Sequence, residues 1–296
     1  MCFARAVELI RVHDFEDPRL SDYRNLKDAR LAADRGRFIV EGRGNLRVLL
    51  ERSTYAPASI LLSDRAHKAM ADELATLDPD CPVYVADQSV LDQVVGFSIH
   101  RGCLAACARG PAADPIALAR RLLTAEPAPR IVVLEGLINH DNVGGIFRNA
   151  MGFGARAVLL CPRTSDPLYR KAIRTSMGGS LCVPFARAED LVPLLGELSA
   201  MGFEILALDP AEEGDDMGRL AAEQIGPVAI VLGTEGQGLS PEALSRADRR
   251  VRIEMEPEVD SLNVAVAAGI ALHRLRLHDS GRINAEAASG RTRGGD

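Results

Sequence analysis

Short apolar runs alternate with amphipathic segments along most of this chain of 296 residues. Runs such as IVVL, AVLL and VAIVL have no polar face, so each strand must be covered on both sides. The segments between them repeat apolar residues at helical spacing. A mostly parallel sheet with helices on its faces satisfies both patterns, because helices connect parallel strands. We therefore predict an α/β fold.

The alternation occurs in two stretches. The first runs from RFIVEG to GCLAACA, and the second from IVVLEGL to a long helix over about residues 262–278. Between them, RGPAADPIALARRLLTAEPAPR has prolines near both ends around a short helical pattern. We predict an α/β domain in residues 1–110, a linker in 111–129, a second α/β domain in 130–279 and a disordered tail in 280–296.

Composition narrows the classes of protein. No basic segment is followed by an apolar core and a cleavage site, and no apolar run approaches the length of a membrane span, so we expect a soluble, cytoplasmic protein with no membrane partner. The 6 cysteines form no Cys-x-x-Cys pair, and most lie in apolar segments. We expect neither a disulfide framework nor a metal site. The net charge of −6 argues against a surface coated in basic residues.

A local basic patch is still compatible with that net charge. Residues 19–47 carry eight basic residues against four acidic ones, and the segment YRKAIR at 169–174 adds three cations beside a tyrosine. Two interpretations stand: a solvated face with interspersed ion pairs, or a surface that binds RNA phosphates. The RNA-binding candidates are Arg24, Arg30, Arg35, Arg37, Arg43, Arg170, Lys171 and Arg174.

Three polar junctions follow apolar runs in the second half. They are EGLINHDNVGGIFRNA, VLGTEGQGLSPE and EMEPEVDSLNVAVAAG. In open α/β sheets, ligands bind where strands end and helices begin. The second junction lacks the Gly-Lys-[Ser/Thr] ending of a P-loop, and no G-x-G-x-x-G follows the first strand. Nucleoside triphosphates and dinucleotides are therefore disfavoured.

Each polar residue in these junctions also has a structural interpretation. The helix of the first junction has an apolar stripe of Val143, Ile146, Phe147 and Ala150, and Arg148 falls on the opposite side as an exposed arginine. Asn142 is a candidate N-cap of that helix. For the last helix, Asp260 or Ser261 is a candidate N-cap, with Asn263 just inside. Glu235 is most simply a turn residue between glycines.

Taken together and in order, the three junctions resemble the signature motifs of the SpoU (TrmH-type) RNA ribose methyltransferases of the SPOUT superfamily. The first half, through FIVEGRGNLRVLLE and FSIHRGCLAACA, resembles more loosely the substrate-binding domain that often precedes that catalytic domain. The resemblance implies an N-terminal α/β substrate-binding domain followed by an α/β-knot methyltransferase domain with a C-terminal trefoil knot. It also implies a homodimer formed through the catalytic domain.

The implied activity is methyl transfer from S-adenosyl-L-methionine to a ribose 2′-OH of RNA, without a metal. Ribosomal RNA is favoured over transfer RNA because the first half resembles the modules of rRNA enzymes. The alternatives are a tRNA methyltransferase, or a catalytically inactive RNA-binding member of the same fold. A nicotinamide-dependent enzyme is disfavoured by the missing glycine fingerprint.

The resemblance also assigns residues by motif. The implied catalytic set is Asn142, Arg148, Glu235, Ser261 and Asn263, and the implied cofactor-binding set is Leu232, Gly233, Thr234, Gly238, Ile253, Met255 and Leu262. A guanidinium is a poor base, so we expect Arg148 to pair with a phosphate and to stabilise the developing alkoxide. The motifs depart from the family pattern at His140, Asn149 and Asp260, where proline, threonine and glutamate are frequent.

Overall fold

The structure is a computed structural model that describes residues 9–24, 36–96, 102–211, 214–220 and 226–276. The predicted tail, Arg30 and Arg35 lie outside these residues. The chain forms two compact units: residues 1–112 together with 165–182, and residues 113–164 together with 183–296. Within the described part of the chain, no helix is long and apolar enough to cross a membrane.

The described residues of the first half form five strands and short helices. Their bounds are β1 (Leu9–Val12), a 3₁₀ helix (Pro18–Tyr23), β2 (Arg37–Glu41), α1 (Arg43–Arg52), β3 (Pro57–Ser63), α2 (Asp64–Ala69), α3 (Ala71–Leu74), β4 (Val83–Ala86), α4 (Gln88–Val95) and β5 (Cys103–Ala108). The segment DRAHKAMADELA, residues 64–75, has the pattern of a single amphipathic helix. It is divided at Met70, whose backbone leaves the helical region (φ −126°) while its side chain is buried.

In the second half, seven strands are formed by the residues that the structure describes. The bounds are α5 (Pro115–Ala125), β6 (Arg130–Leu134), α6 (His140–Phe153), β7 (Ala157–Leu160), α7 (Arg170–Thr175), α8 (Gly179–Cys182), β8 (Phe185–Arg187), α9 (Leu191–Ala200), β9 (Glu204–Leu208), β10 (Asp215–Asp216), α10 (Met217–Leu220), β11 (Val228–Leu232), α11 (Pro241–Arg246), β12 (Arg249–Arg252) and α12 (Val264–Arg276). Helix α5 lies inside the segment predicted as a linker, and its Leu118 and Ala119 are buried in the core of the second unit.

The first sheet has the strand order β1-β4-β3-β5-β2. Strands β1, β4 and β3 run parallel, whereas β5 is antiparallel to both β3 and β2. Four of the five described strands therefore run in one direction, as expected for a mostly parallel sheet, and β5 alone among them opposes the others. An apolar run shows that a strand is buried on both faces, but it does not encode the direction of that strand.

The second sheet has the order β10-β12-β9-β11-β6-β7-β8, and all its pairings are parallel. Alternate residues of its strands pack on opposite faces. Val132 and Leu134 contact α6 and α12, whereas Ile131 and Val133 contact α5 and α9. This is the predicted parallel α/β domain, and the trefoil knot stays a prediction.

Residues 165–182 leave the second unit and join the first. The segment follows β7, forms α7 and α8, and returns to β8. Within the first unit, Arg170 pairs with Glu41 (Nη1 to Oε2 3.1 Å), and Asp166 pairs with Arg109. The Ser53 hydroxyl donates to the Leu181 carbonyl at 2.9 Å. The first unit is therefore built from two separate stretches of sequence.

Candidate active site

Helix α6 begins with an asparagine cap and buries the predicted stripe. The Asn139 side chain accepts a hydrogen bond from the Asp141 N–H at 2.9 Å, so Asn139 rather than Asn142 is the N-cap. The four stripe residues from Val143 to Ala150 are fully buried, and Arg148 is exposed, as the periodicity predicts. Asn142 lies in the first turn with only 6% of its surface exposed. Its capping interpretation was wrong.

Helix α12 begins with a second asparagine cap. Asn263 Oδ1 accepts hydrogen bonds from the N–H groups of Ala265 (3.0 Å) and Val266 (3.3 Å). Asn263 is therefore the N-cap of this helix, and the alternative that placed Asp260 or Ser261 there was wrong. The helix begins at Val264, two residues later than expected, because Asn263 satisfies the first free N–H groups itself.

Asn263 also forms hydrogen bonds with residues of the other two junctions. Its Nδ2 donates to Asn142 Oδ1 at 2.9 Å and to Glu235 Oε1 at 2.8 Å. Both amide hydrogens and the amide oxygen of Asn263 are thus engaged, which fixes the orientation of its side chain. Glu235 is consequently more than a turn residue. Residues far apart in sequence meet at the carboxyl ends of β6 and β11.

A tight glycine turn positions Glu235. Thr234 and Gly238 exchange two backbone hydrogen bonds of 3.1 and 3.0 Å around it. Gly236 and Gly238 have positive φ angles of 87° and 68°, which other L-residues rarely adopt. A Cβ at Gly233 would lie 2.3 Å from the Gly238 carbonyl, so only glycine fits there. The turn exposes backbone along one side of an adjacent cavity.

The cavity has a volume of about 660 Å³. It lies at the carboxyl edge of the second sheet, beside the turn and the start of α12. Glu235, Ser261 and Asn263 line it, together with two carboxylates that sequence reasoning did not select, Asp209 and Asp260. Among the described lining residues there is no lysine, arginine or histidine. All seven predicted cofactor residues are also in the wall: Leu232, Gly233, Thr234, Gly238, Ile253, Met255 and Leu262.

Arg148 is not part of this cavity wall. It follows Asn142 by six residues on the same helix, which places it about 240° around the helix axis. It forms no hydrogen bond or ion pair with any residue that the structure describes. One chain therefore brings together Asn142, Glu235, Ser261 and Asn263, and leaves Arg148 on another face of α6.

Close packing of α6 against α12 explains one departure from the family pattern. A Cβ at Gly145 would lie 2.8 Å from the Ala265 Cβ, and one at Gly269 would lie 3.0 Å from the Asn149 amide nitrogen. Asn149 Nδ2 donates to the Ala265 carbonyl at 2.6 Å. Asn149 therefore joins the two helices that carry the catalytic candidates.

Sequence reasoning selected neither Asp209, which lines the cavity, nor Arg163, which lies near the wall residue Thr234. Arg163 is exposed after β7 and has a left-handed backbone conformation (φ 67°). Its guanidinium and the Thr234 methyl group both lie within 4 Å of the position that a Cβ would take at Gly136. Asp209 directly follows the buried run of β9. A polar residue at the carboxyl end of a parallel strand was the signal available for Asp209, and none was available for Arg163.

The arginines of the predicted basic patch have different environments. Arg24 donates to the carbonyls of Phe15 (2.9 Å) and Asp17 (3.0 Å), and Arg37 lies 3.7 Å from an Asp22 oxygen. The side chain of Arg170 is 17% exposed in its pair with Glu41. The exposed candidates are Arg43, Lys171 and Arg174. In the part of the chain that the structure describes, no three His, Cys, Asp or Glu residues form a group suited to a metal ion.

Comparison with known proteins gives the family. The family model described as the SpoU rRNA Methylase family matches residues 129–273. A protein of Mycobacterium tuberculosis named as an uncharacterized tRNA/rRNA methyltransferase is 39% identical over 269 residues, which cover 88% of this chain and 90% of that protein.

The chain belongs to the SpoU family. This SpoU protein is an RNA methyltransferase, and its family uses S-adenosyl-L-methionine as the methyl donor. The resemblance of its three motifs is thereby confirmed.

Solved structures agree on the α/β fold. An AdoMet-bound rRNA methyltransferase from Sinorhizobium meliloti has a TM-score of 0.75 at 21% identity, over 91% of this chain and 98% of that one. The SpoU methyltransferase AviRb from Streptomyces viridochromogenes, in complex with AdoMet, has a TM-score of 0.72 at 20% identity, over 90% and 99% of the two chains. Both halves of the chain are therefore included in the shared fold.

Proposed function

We propose that this SpoU methyltransferase transfers a methyl group from S-adenosyl-L-methionine to a ribose 2′-OH of ribosomal RNA. One observation carries the proposal: the second and third motifs line one cavity, and there Asn263 links Glu235 to Asn142 of the first motif by hydrogen bonds of 2.8 and 2.9 Å. Asn263 of the third motif therefore orients one side chain from each of the other two motifs.

The wall of the cavity suits the methyl donor. Asp209, Glu235 and Asp260 supply negative charge, and no described lining residue is basic, which favours a ligand with cationic groups. Ile253, Met255 and Leu262 offer apolar surface for a purine ring. The bound donor supplies an electrophilic methyl group on a sulfonium. The chain has to hold this donor and position the hydroxyl in line with it.

The polar side chains beside the cavity suit the binding of a ribose. Because Asn263 uses both of its N–H groups internally, it acts by orienting its two neighbours. Glu235 keeps its second oxygen as an acceptor for a hydroxyl proton, and Asn142 keeps its amide N–H groups as donors. Ser261, exposed on the cavity wall, offers a further hydroxyl. This set can hold a ribose hydroxyl in one orientation.

Arg148 enters the proposal through a second copy of the chain. Its own helix directs it to a face different from that of Asn142, and it is exposed. Near the first turns of α6 and α12, the apolar side chains Ile138 (71%) and Val266 (52%) are also exposed. We propose that a homodimer covers this face and that Arg148 of one protomer binds the RNA phosphate and the developing alkoxide at the cavity of the other.

Ribosomal RNA is proposed as the substrate because the matching family model carries rRNA in its description, and because the first half resembles the modules of rRNA enzymes. The test uses purified protein, labelled S-adenosyl-L-methionine, and separate rRNA and tRNA fractions from cells that lack the gene. The products are digested to nucleosides. We expect label in 2′-O-methylated nucleosides of the rRNA fraction.

Three other results would change the proposal. Label in the tRNA fraction alone would identify tRNA as the substrate in place of rRNA. Label on a base would show that the methyl group goes to the base and not to the ribose. RNA binding without any binding of S-adenosyl-L-methionine in metal-free calorimetry would identify a catalytically inactive member of the fold.

A further inference from the structure

A second cavity lies in the first unit, at one edge of its sheet. Strands β2, β3 and β4 point in the same direction, so their carboxyl ends share an edge, and α1, α2 and α4 begin there. The cavity at this edge has a volume of about 820 Å³. Arg43 and Arg47 of α1 and Arg65 of α2 line it.

The charges around this cavity do not cancel. Asp64, the acidic lining residue, is bound by Arg11, whose Nη2 lies 3.0 Å from its Oδ2. Arg47 is held by Glu73, with its Nε 2.7 Å from Oε1. Arg43 and Arg65 are exposed and form no hydrogen bond or ion pair with any residue in the described ranges. Two guanidinium groups therefore remain available to a ligand.

The backbone at the same edge adds further donors. Helix α1 follows Gly42 (φ 91°), which has no side chain, and no side chain in the described part of the chain caps its first N–H groups. Gly44, also in the cavity wall, has no atom within 4 Å of the position of a Cβ, so a ligand can approach the start of the helix. Uncapped N–H groups beside guanidinium groups favour an anion with several oxygens.

We propose that this cavity binds backbone phosphates of the RNA substrate. The proposal rests on the RNA methyltransferase function above and adds a docking site remote in sequence from the catalytic motifs. Among the described residues that line the cavity there is no aromatic ring on which a base could stack. The expected contact is therefore with phosphates, which fixes the position of the RNA without reading its sequence.

The cavity also revises the predicted basic patch. Arg43 belongs to that patch, whereas Arg65 lies outside residues 19–47 and meets Arg43 only through the fold. By contrast, Arg24 and Arg37 of the patch contact backbone carbonyls and Asp22. Replacing Arg24 or Arg37 is therefore expected to lower the stability of the fold more than it lowers the affinity for RNA.

The test compares two double variants of the full chain with equal changes in charge. One is Arg43→Gln with Arg65→Gln, and the control is Arg120→Gln with Arg121→Gln, two exposed arginines of α5 in the second unit. Fluorescence anisotropy measures the affinity for a short single-stranded RNA from about 50 to about 200 mM KCl. Methyl transfer to rRNA gives KM and kcat, and calorimetry gives cofactor affinity.

We expect the cavity variant to bind RNA at least about tenfold more weakly at low salt. Its salt slope should fall by about 1.4, which is about 0.7 for each phosphate that an arginine no longer neutralises. KM for RNA should rise by a similar factor, while kcat at saturating RNA and the cofactor affinity stay within about twofold of the parent. The control should match the parent.

Equal losses in both double variants would reduce the effect to net charge and overturn the proposal. RNA affinity unchanged in the cavity variant would overturn it as well. A third result would also overturn the proposal: the parent binds AMP, and the cavity variant loses AMP binding but keeps its RNA affinity. The cavity would then be a site for a free nucleotide. Failure of the proposed function would look different: the parent itself would not methylate RNA.

Discussion

Replacing Asn263 separates its two roles, as helix cap and as link between Asn142 and Glu235. Asn263→Ala removes the cap of α12, which costs about 1 kcal/mol. It also leaves the buried Asn142 oxygen without its donor, which costs about 1–3 kcal/mol. The free energy of unfolding should therefore fall by about 2–4 kcal/mol. Asn263→Ser keeps a capping hydroxyl, so it should lose only about 1–3 kcal/mol.

Both variants should lose methyl transfer, because both release Glu235 and Asn142 from their shared donor. A displacement of about 1 Å at such groups is worth up to about 100-fold in rate. Urea unfolding measures the stability difference, and single-turnover methylation of rRNA measures the rate at saturating cofactor. If the serine variant is as unstable as the alanine variant, the cap contributes nothing. If both variants methylate at the parent rate, the hydrogen-bonded link has no part in the reaction.

Three further predictions concern other parts of the second unit and the buried thiols. Arg148→Ala should slow single-turnover methyl transfer at least about 100-fold, about 2.7 kcal/mol, without changing cofactor affinity or thermal stability; parent activity would return it to an ordinary surface arginine. Gly145→Ala should cost about 1–3 kcal/mol of unfolding free energy because its Cβ meets Ala265. The control Gly152→Ala, with nothing within 4 Å, should not destabilise, and equal losses would contradict the packing argument. Burial raises the pKa of three thiols to about 12, so the unfolded chain releases their protons first. The free energy of unfolding, measured with urea, should therefore fall as pH rises above about 9. A free energy that does not change with pH would contradict this. The three thiols are those of Cys103, Cys107 and Cys161.

Much of the fold was predictable because burial leaves a pattern in the sequence. Apolar runs locate the strands of the second sheet within one or two residues in most cases, and the α6 stripe is buried as its periodicity requires. The reversed direction of β5 in the first sheet was not predictable, since β5 is as apolar as the strands that run the other way. Short elements such as β8 and α11 are too brief to show a period.

The candidate site was predictable in its residues but not in its connections. The motifs identify Asn142, Glu235 and Asn263, yet capping preferences alone gave Asn142 and Ser261 the structural roles that Asn139 and Asn263 fill. Whether an asparagine caps or orients depends on what lies across the cavity, which no local pattern contains. The position of Arg148 outside the cavity wall could likewise not be predicted, because it depends on how α6 is oriented relative to the cavity.

Residues 165–182 belong to the first unit although they follow part of the second unit in sequence, and this order affects folding during synthesis. On the ribosome, the first unit cannot be completed when residue 112 emerges, because α7 packs against β2 and α8 packs against α1 within that unit. The intervening 70 residues (182 − 112) take about 4–14 s to translate at about 5–20 residues/s. During that interval the surface that will receive Ala172, Ile173 and Leu181 stays uncovered, so the nascent chain is exposed to aggregation until its middle third has been made.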